Sequence, residues 1–145
     1  LGERKAPGSD EKHLNLPTDV AVLQDGSFYV SDGYGNTRVV KFSAQGEFLF
    51  EWGTPGSGPG EFDLPHGIAV DENERVFVAD RSNSRIQIFD STGTFIAEWK
   101  SQGLGRPYSM AIGSDNSVYV VDGGDPIFPF RAKAIKFTVQ GALRS

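Results

Sequence analysis

The sequence predicts an all-β fold, a β-propeller built from four-stranded blades, with about three blades present. Three observations carry this expectation. Three stretches superpose on one another with few gaps: LPTDVAVLQDGSFYVSDGYGNTRVVKFSAQGEFLFEWG (Leu16 to Gly53), LPHGIAVDENERVFVADRSNSRIQIFDSTGTFIAEWK (Leu64 to Lys100) and the more divergent RPYSMAIGSDNSVYVVDGGDPIFPFRAKAIKFTVQGAL (Arg106 to Leu143). Matched residues recur at blade-length intervals: 48 from Pro17 to Pro65, 48 from Asp32 to Asp80, 47 from Trp52 to Trp99 and 42 from Pro65 to Pro107. The composition, with 18 Gly, 8 Pro and 11 Phe in 145 residues, suits short strands separated by many turns.

Along the chain, residues 1–15 read as the tail of a preceding blade and a linker, followed by blades at 16–53, 64–100 and 106–145. The last is incomplete, because Ser145 falls where its fourth strand should run. In the second repeat the apolar runs place strands at Gly67 to Val70, Arg75 to Ala79, Arg85 to Phe89 and Phe95 to Trp99. They are too short, and too rich in β-branched and aromatic residues, for helices. Asp25-Gly26, Asp71 to Glu74 and Asp115-Asn116 separate first from second strands. Gly46, Gly93 and Gly141 punctuate the turns between third and fourth strands, where positive φ is required. Third strands align as RVVKF, RIQIF and KAIKF, apolar on more than one face, as sheets stacked side by side demand. The Gly-rich TPGSGPGEF (Thr54 to Phe62) lacks the Gly-Lys-Ser/Thr core of a phosphate loop and precedes a strand, so it reads as an inter-blade linker.

Charge and composition exclude several functions. Fourteen basic against 19 acidic residues give a formal charge of −5, with no Lys/Arg block longer than two, so no nucleic-acid partner is expected. The absence of Cys removes disulfides, thiolate metal sites and Cys nucleophiles. No segment approaches the ~18 consecutive apolar residues of a spanning helix, so no membrane partner is expected. The chain opens at Leu1 and its one Met is Met110, as in a processed product or an internal fragment. Three blades leave two sheet faces open. The expectation is either a piece of a longer ring or a half-ring that self-associates to a homodimer.

The pattern LP(H/T)xxAVD, then xFVxDxxNxRIxxF, ending in EW, resembles the NHL repeat. The stretch from Leu1 to Glu98, with SDGYGNTR and LPHG, further resembles the peptidyl-α-hydroxyglycine α-amidating lyases. That resemblance implies a six-bladed ring, of which this chain would be half. It implies a central zinc on three His with a calcium ion deeper in the channel, and a substrate peptide ending in α-hydroxyglycine. By the same token His66 falls on a zinc ligand, Tyr34 on a tyrosine proposed as general base and Arg81 on an active-site arginine. The other two zinc His have no counterpart, since Thr18 and Tyr108 occupy the equivalent repeat positions. The family's disulfide partners are replaced as pairs, Asn15 with Gly35 and Phe77 with Ile88. The resemblance implies a secreted or extracytoplasmic protein, whereas the residues themselves leave the compartment open. With an incomplete ligand set, activity of the chain by itself is expected to be weak or absent.

Each candidate also has a structural reading. In an up-and-down meander, the loop entering a first strand and the loop joining second to third strands emerge on one face, so His66, Tyr34 and Arg81 should share a rim. His66 could equally cap a loop, Tyr34 pack on the surface, and Arg81 pair with a loop carboxylate. Asp32, Asp80 and Asp122 recur at the end of every second strand and read as acceptors for turn N–H groups. His13 reads as a loop residue. The longer second-to-third-strand loop of the third repeat, GGDPIFPF (Gly123 to Phe130), could wall a pocket through Ile127, Phe128 and Phe130 or simply pack as a lid. Three functions compete: a metal-dependent carbon–nitrogen lyase, a non-catalytic NHL interaction module, and a calcium-dependent sugar-lactone hydrolase. The last lacks a recurring acidic cluster.

Overall fold

A computed structural model describes residues 6–100, 103–124 and 132–144. They form three four-stranded antiparallel meanders with no helix among them. The first sheet is β1 (Asp19–Val22), β2 (Phe28–Asp32), β3 (Arg38–Phe42) and β4 (Phe48–Trp52). A short parallel pair, β5 (Thr54–Pro55) with β6 (Glu61–Phe62), forms within the linker. The second sheet is β7 (Pro65–Val70), β8 (Val76–Asp80), β9 (Arg85–Phe89) and β10 (Phe95–Trp99). The third is β11 (Pro107–Ile112), β12 (Ser117–Asp122), β13 (Lys133–Thr138) and the two-residue β14 (Leu143–Arg144). First strands of neighbouring sheets lie against one another, β1 on β7 and β7 on β11, which makes them the inner wall of a propeller.

Burial follows from this stacking. Every residue of β8 and β9 is buried, because the second sheet is covered on both faces. In β12 the pattern alternates: Val118 and Val120 are buried, while Tyr119 and Val121 are 43% and 56% exposed on the sheet's outer face. Tyr29, Val39, Phe62, Val76, Val78 and Phe89 form the core between the first two sheets. Phe77, Ile86, Ile88, Val118, Val120 and Phe137 form the next. At the periphery, Trp52 of one blade lies on the β9–β10 turn of the next, and Trp99 repeats this on the β13–β14 turn. A Cβ on Gly93 would sit 2.8 Å from the Trp52 ring, and one on Gly141 2.5 Å from Trp99 Nε1. Both glycines also hold φ above +80°, so backbone conformation and close approach require the same residue.

Buried arginines tie each linker to its blade. Arg85, 1% exposed, donates from Nε to Asp80 Oδ2 (2.7 Å), from Nη1 to Ser57 O and Glu98 Oε2, and from Nη2 to Gly58 O and Glu61 O. Arg38 repeats this in the first blade with Asp32, Glu51 and the carbonyls of Ser9, Asp10 and His13. The recurring aspartates accept the expected backbone N–H groups, from Asn15, Asp63 and Gly105 respectively. Burial pushes the Asp80 carboxyl above its ordinary value, opposed by donors from Asn83, the Asp63 N–H and Arg85. The third blade has Lys133 where the others have arginine, and it is exposed.

Candidate functional site

Strand starts in the second and third sheets contain bulges, and both bulges carry site residues. β7 pairs Pro65 with Asp80 and Ile68 with Val78, so His66 and Gly67 stand opposite Ala79 alone. β11 pairs Pro107 with Asp122 and Ser109 with Val121, leaving Tyr108 unpaired. A bulge re-aims the extra side chain and is common beside binding sites. The sequence boundaries for the second blade's first strand began at Gly67. The strand in fact reaches back to Pro65, because pairing resumes beyond the bulge.

The loops that bring up the other two residues are fixed by an unusual backbone device. Leu16 and Leu64, each preceding a Pro, adopt φ of 58° and 65°. Their carbonyls accept the N–H of Tyr34 (3.3 Å) and Arg81 (3.2 Å), while in the third blade Arg106 O accepts Gly123 N–H (2.8 Å). Residues after the second strands are thereby pinned to residues before the first strands. Gly33 makes this possible for Tyr34, since a Cβ there would lie 1.9 Å from Pro65 O. Gly35 packs on Asn15: a Cβ would meet the Asn15 side chain at 2.1 Å, and Gly35 N–H donates to Asn15 O (2.9 Å). The other replaced pair, Phe77 and Ile88, faces directly across β8 and β9.

These devices bring the three sequence candidates into one cluster. The Tyr34 hydroxyl, on a side chain 54% exposed, lies 3.0 Å from His66 Nε2. His66 Nδ1 lies 2.7 Å from Tyr108 O. A carbonyl can only accept, so Nδ1 carries the proton and donates, leaving the Nε2 lone pair to accept from Tyr34. The imidazole is flanked edgewise by Tyr34 (centroids 5.4 Å, 81°) and Tyr108 (5.0 Å, 63°). Arg81 Nη2 donates to the Tyr108 hydroxyl (2.6 Å), with the guanidinium carbon 4.2 Å from the same ring's centroid. His66 and Arg81 therefore touch opposite parts of one tyrosine. Thr18, at the repeat position of His66, is spent on structure: its hydroxyl engages Ser31 O, Ser31 Oγ and Pro65 O. Tyr108 is the residue that sequence reasoning placed only as a missing ligand. Its signal was its alignment with His66.

A carbonyl-held imidazole with an unprotonated Nε2 is the usual preparation of a metal-ligating histidine. His66 fits one ligand position. No group of three or more His, Asp or Glu is arranged to hold a metal among the described residues, so neither a three-His zinc site nor an acidic calcium site is assembled there. A cavity of about 480 Å³ opens at the opposite ends of the inner strands, between Val22, Val70 and Ile112, with Asp25, Glu72 and Glu74 at its margin. It is remote from the tyrosine–histidine cluster. The loop residues Ile127, Phe128 and Phe130 lie outside the described residues.

Residues 14–42 and 62–89 match the NHL repeat model, so the chain carries two matched NHL repeats on a β-propeller-type fold. Within that class the chain resembles the peptidyl-α-hydroxyglycine α-amidating lyases. It is 39% identical over 122 residues to peptidyl-alpha-hydroxyglycine alpha-amidating lyase 1 of Drosophila melanogaster, covering 77% of this chain and 22% of the relative. Over 140 residues it is 41% identical to peptidyl-glycine alpha-amidating monooxygenase A of Xenopus laevis, covering 91% of this chain and 15% of the relative. The chain thus spans under a quarter of the length of either. A solved streptogramin B lyase shares the fold, with a TM-score of 0.70 at 22% identity over 95% of this chain and 41% of that one.

Proposed function

We propose that this chain supplies part of the active site of a peptidyl-α-hydroxyglycine α-amidating lyase, splitting a peptide that ends in α-hydroxyglycine into the peptide amide and glyoxylate. The observation that carries the reading is the Tyr34–His66–Tyr108–Arg81 cluster, in which the residues matched to the lyases meet on one rim. His66 Nε2 would hold a zinc ion together with two imidazoles from elsewhere in a complete ring; the metal would act as a Lewis acid on the carbinol oxygen. Arg81 would hold the substrate carboxylate through its planar fork. The Tyr34 side chain would be the base that takes the carbinol proton. The C–O bond becomes a carbonyl as the C–N bond breaks, and the electron pair and that same proton end on the amide nitrogen. No net proton is consumed.

The 145 residues contain two His, and His13 is placed against Asp10 beside Arg38. One imidazole cannot complete a catalytic zinc site, which supports weak or absent turnover by the chain by itself. The same observation favours a second reading, a non-catalytic NHL-repeat interaction module. The exposed outer faces carrying Tyr119 and Val121 support a second copy, or further blades, as the physical partner. The resemblance to the lyases is what supports a calcium ion deeper in the channel and a secreted or extracytoplasmic location.

Zinc titration followed through the imidazole NMR signals separates the readings. The lyase reading expects the His66 ring to shift with its Nε2 engaged, an effect lost in His66→Ala, while the His13 ring stays in place. An unchanged His66 ring across the titration would favour the interaction module.

A further inference from the structure

Arg81 and His66 do not hydrogen-bond to each other. What relates them is Tyr108. Its carbonyl fixes the His66 tautomer, its ring edge packs on the imidazole, and its hydroxyl accepts from Arg81 Nη2 at 2.6 Å. Ring and backbone are each approached closely by a glycine. A Cβ on Gly123 would lie 2.2 Å from Tyr108 Cε2, and a Cβ on Gly67 would lie 2.8 Å from Tyr108 O. Tyr108 sits on a bulge, unpaired in its strand, so the backbone aims it inward instead of into the ladder. Carbonyl, ring and hydroxyl are thus each engaged, which exceeds what packing of a surface tyrosine needs.

Arg81 gives the complementary observation. Its Nε is buried and hydrogen-bonded to nothing, while Nη2 is occupied by Tyr108. Burying a guanidinium N–H without a partner costs stability. With Nη2 and the guanidinium face held by Tyr108, the arginine fork is kept from rotating, and a planar carboxylate matches such a fork.

We infer that Tyr108 is the positioning residue of a carboxylate subsite: its hydroxyl and ring hold the Arg81 guanidinium in the orientation that receives the terminal carboxylate of the substrate. This rests on the lyase reading above, in which Arg81 receives that carboxylate. Tyr108 does no chemistry and contacts no reacting atom. It acts through Arg81, and it brings the third blade into a site otherwise built from the first two. The chemical class selected is an N-acylated amino acid with a free α-carboxylate; the corresponding carboxamide lacks the charge.

The test is the binding of N-benzoylglycine and of its carboxamide to the full chain, measured by ligand-observed NMR, for wild type, Tyr108→Phe, Arg81→Lys and the double variant. The ratio of the two dissociation constants is the readout, because general loosening of the fold weakens both ligands together. Tyr108→Phe keeps the ring and its contacts, and thermal unfolding checks that each variant is folded. The inference expects wild type to prefer the carboxylate, Tyr108→Phe to lose about tenfold of that preference while carboxamide binding is unchanged, and the double variant to lose no more than Arg81→Lys does. A wild-type preference that Tyr108→Phe fully retains would overturn the inference and leave the lyase reading standing. If wild type shows no preference, or Arg81→Lys leaves one intact, the assignment of Arg81 falls, and Tyr108 as its positioning residue falls with it.

Discussion

Replacing Arg85 by Met should be among the most damaging single changes outside the site, although it leaves an apolar side chain of similar length. Arg85 and Asp80 have side chains 1% and 0% exposed, with Nε 2.7 Å from Oδ2. Breaking a fully buried pair by removing one partner costs about 3–5 kcal/mol, because the remaining charge is stranded without its counter-ion. The linker carbonyls of Ser57, Gly58 and Glu61 lose their donor in the same step. Against a typical domain stability of about 5–15 kcal/mol, that is a large share. In urea the midpoint should fall by roughly 2 M for a slope of about 2 kcal/mol/M. Burial already raises the Asp80 carboxyl in the native chain, and loss of Arg85 raises it further. The native state of the variant then binds a proton that the unfolded state does not. Its deficit is therefore full above the native-state pKa of Asp80 and shrinks as pH falls toward the unfolded value of about 3.9. Adding Asp80→Asn should recover part of the loss at neutral pH, whereas Lys133→Met, at the exposed third-blade equivalent, should change stability by less than about 0.5 kcal/mol. A loss under about 1 kcal/mol for Arg85→Met, or a deficit that grows on acidification, would refute this account of the buried pair.

Other outcomes follow from particular contacts. Gly33→Ala places a methyl 1.9 Å from Pro65 O, so the loop must move and carry Tyr34 away from His66. A stability loss of about 1–3 kcal/mol and a shifted His66 ring signal are expected, and an unchanged ring signal would contradict the placement. Lys136 and Ser117 hydrogen-bond Asp115 and hold its carboxyl down to about 2. In Lys136→Met the carboxyl NMR titration should move up toward the ordinary range. Asp115's stabilising contribution, present above about pH 4 and lost toward pH 2 in the native sequence, should then shrink to the part that the Ser117 donors keep. Light scattering should find the chain associated beyond 15.7 kDa, since Tyr119 and Val121 lie on an uncovered face; a concentration-independent mass of 15.7 kDa would contradict that.

The repeat itself made the fold legible. Pro17, Pro65 and Pro107, with Asp32, Asp80 and Asp122, mark equivalent points of three meanders, and the turn glycines at 46, 93 and 141 adopt φ of 82°, 84° and 87° as their turns require. The shared rim of Tyr34, His66 and Arg81 was legible from meander geometry. Their mutual contacts were not, because they depend on bulges at His66 and Tyr108 and on left-handed leucines at 16 and 64. Leucine has no propensity that announces φ above zero, so the strain is imposed by tertiary packing. Repeat alignment alone makes Tyr108 look like a lost ligand because it compares side-chain types, while its part in the cluster comes through a backbone carbonyl and a hydroxyl turned toward another blade. The buried arginines were likewise hidden, since Arg38 and Arg85 open strands whose letters suggest solvent-facing ends.

The central claim is that these residues form part of a lyase site, and it is tested most directly by completing the ring. Residues 16–124 would replace the matching segment of the Drosophila lyase, and release of glyoxylate from N-benzoyl-α-hydroxyglycine would be measured with the zinc content of the purified protein. The account predicts zinc bound at one per chain and glyoxylate release that His66→Ala abolishes and Tyr34→Phe lowers by about 10²–10⁴-fold. A folded hybrid that binds zinc and turns over equally well with His66→Ala and Tyr34→Phe would contradict it.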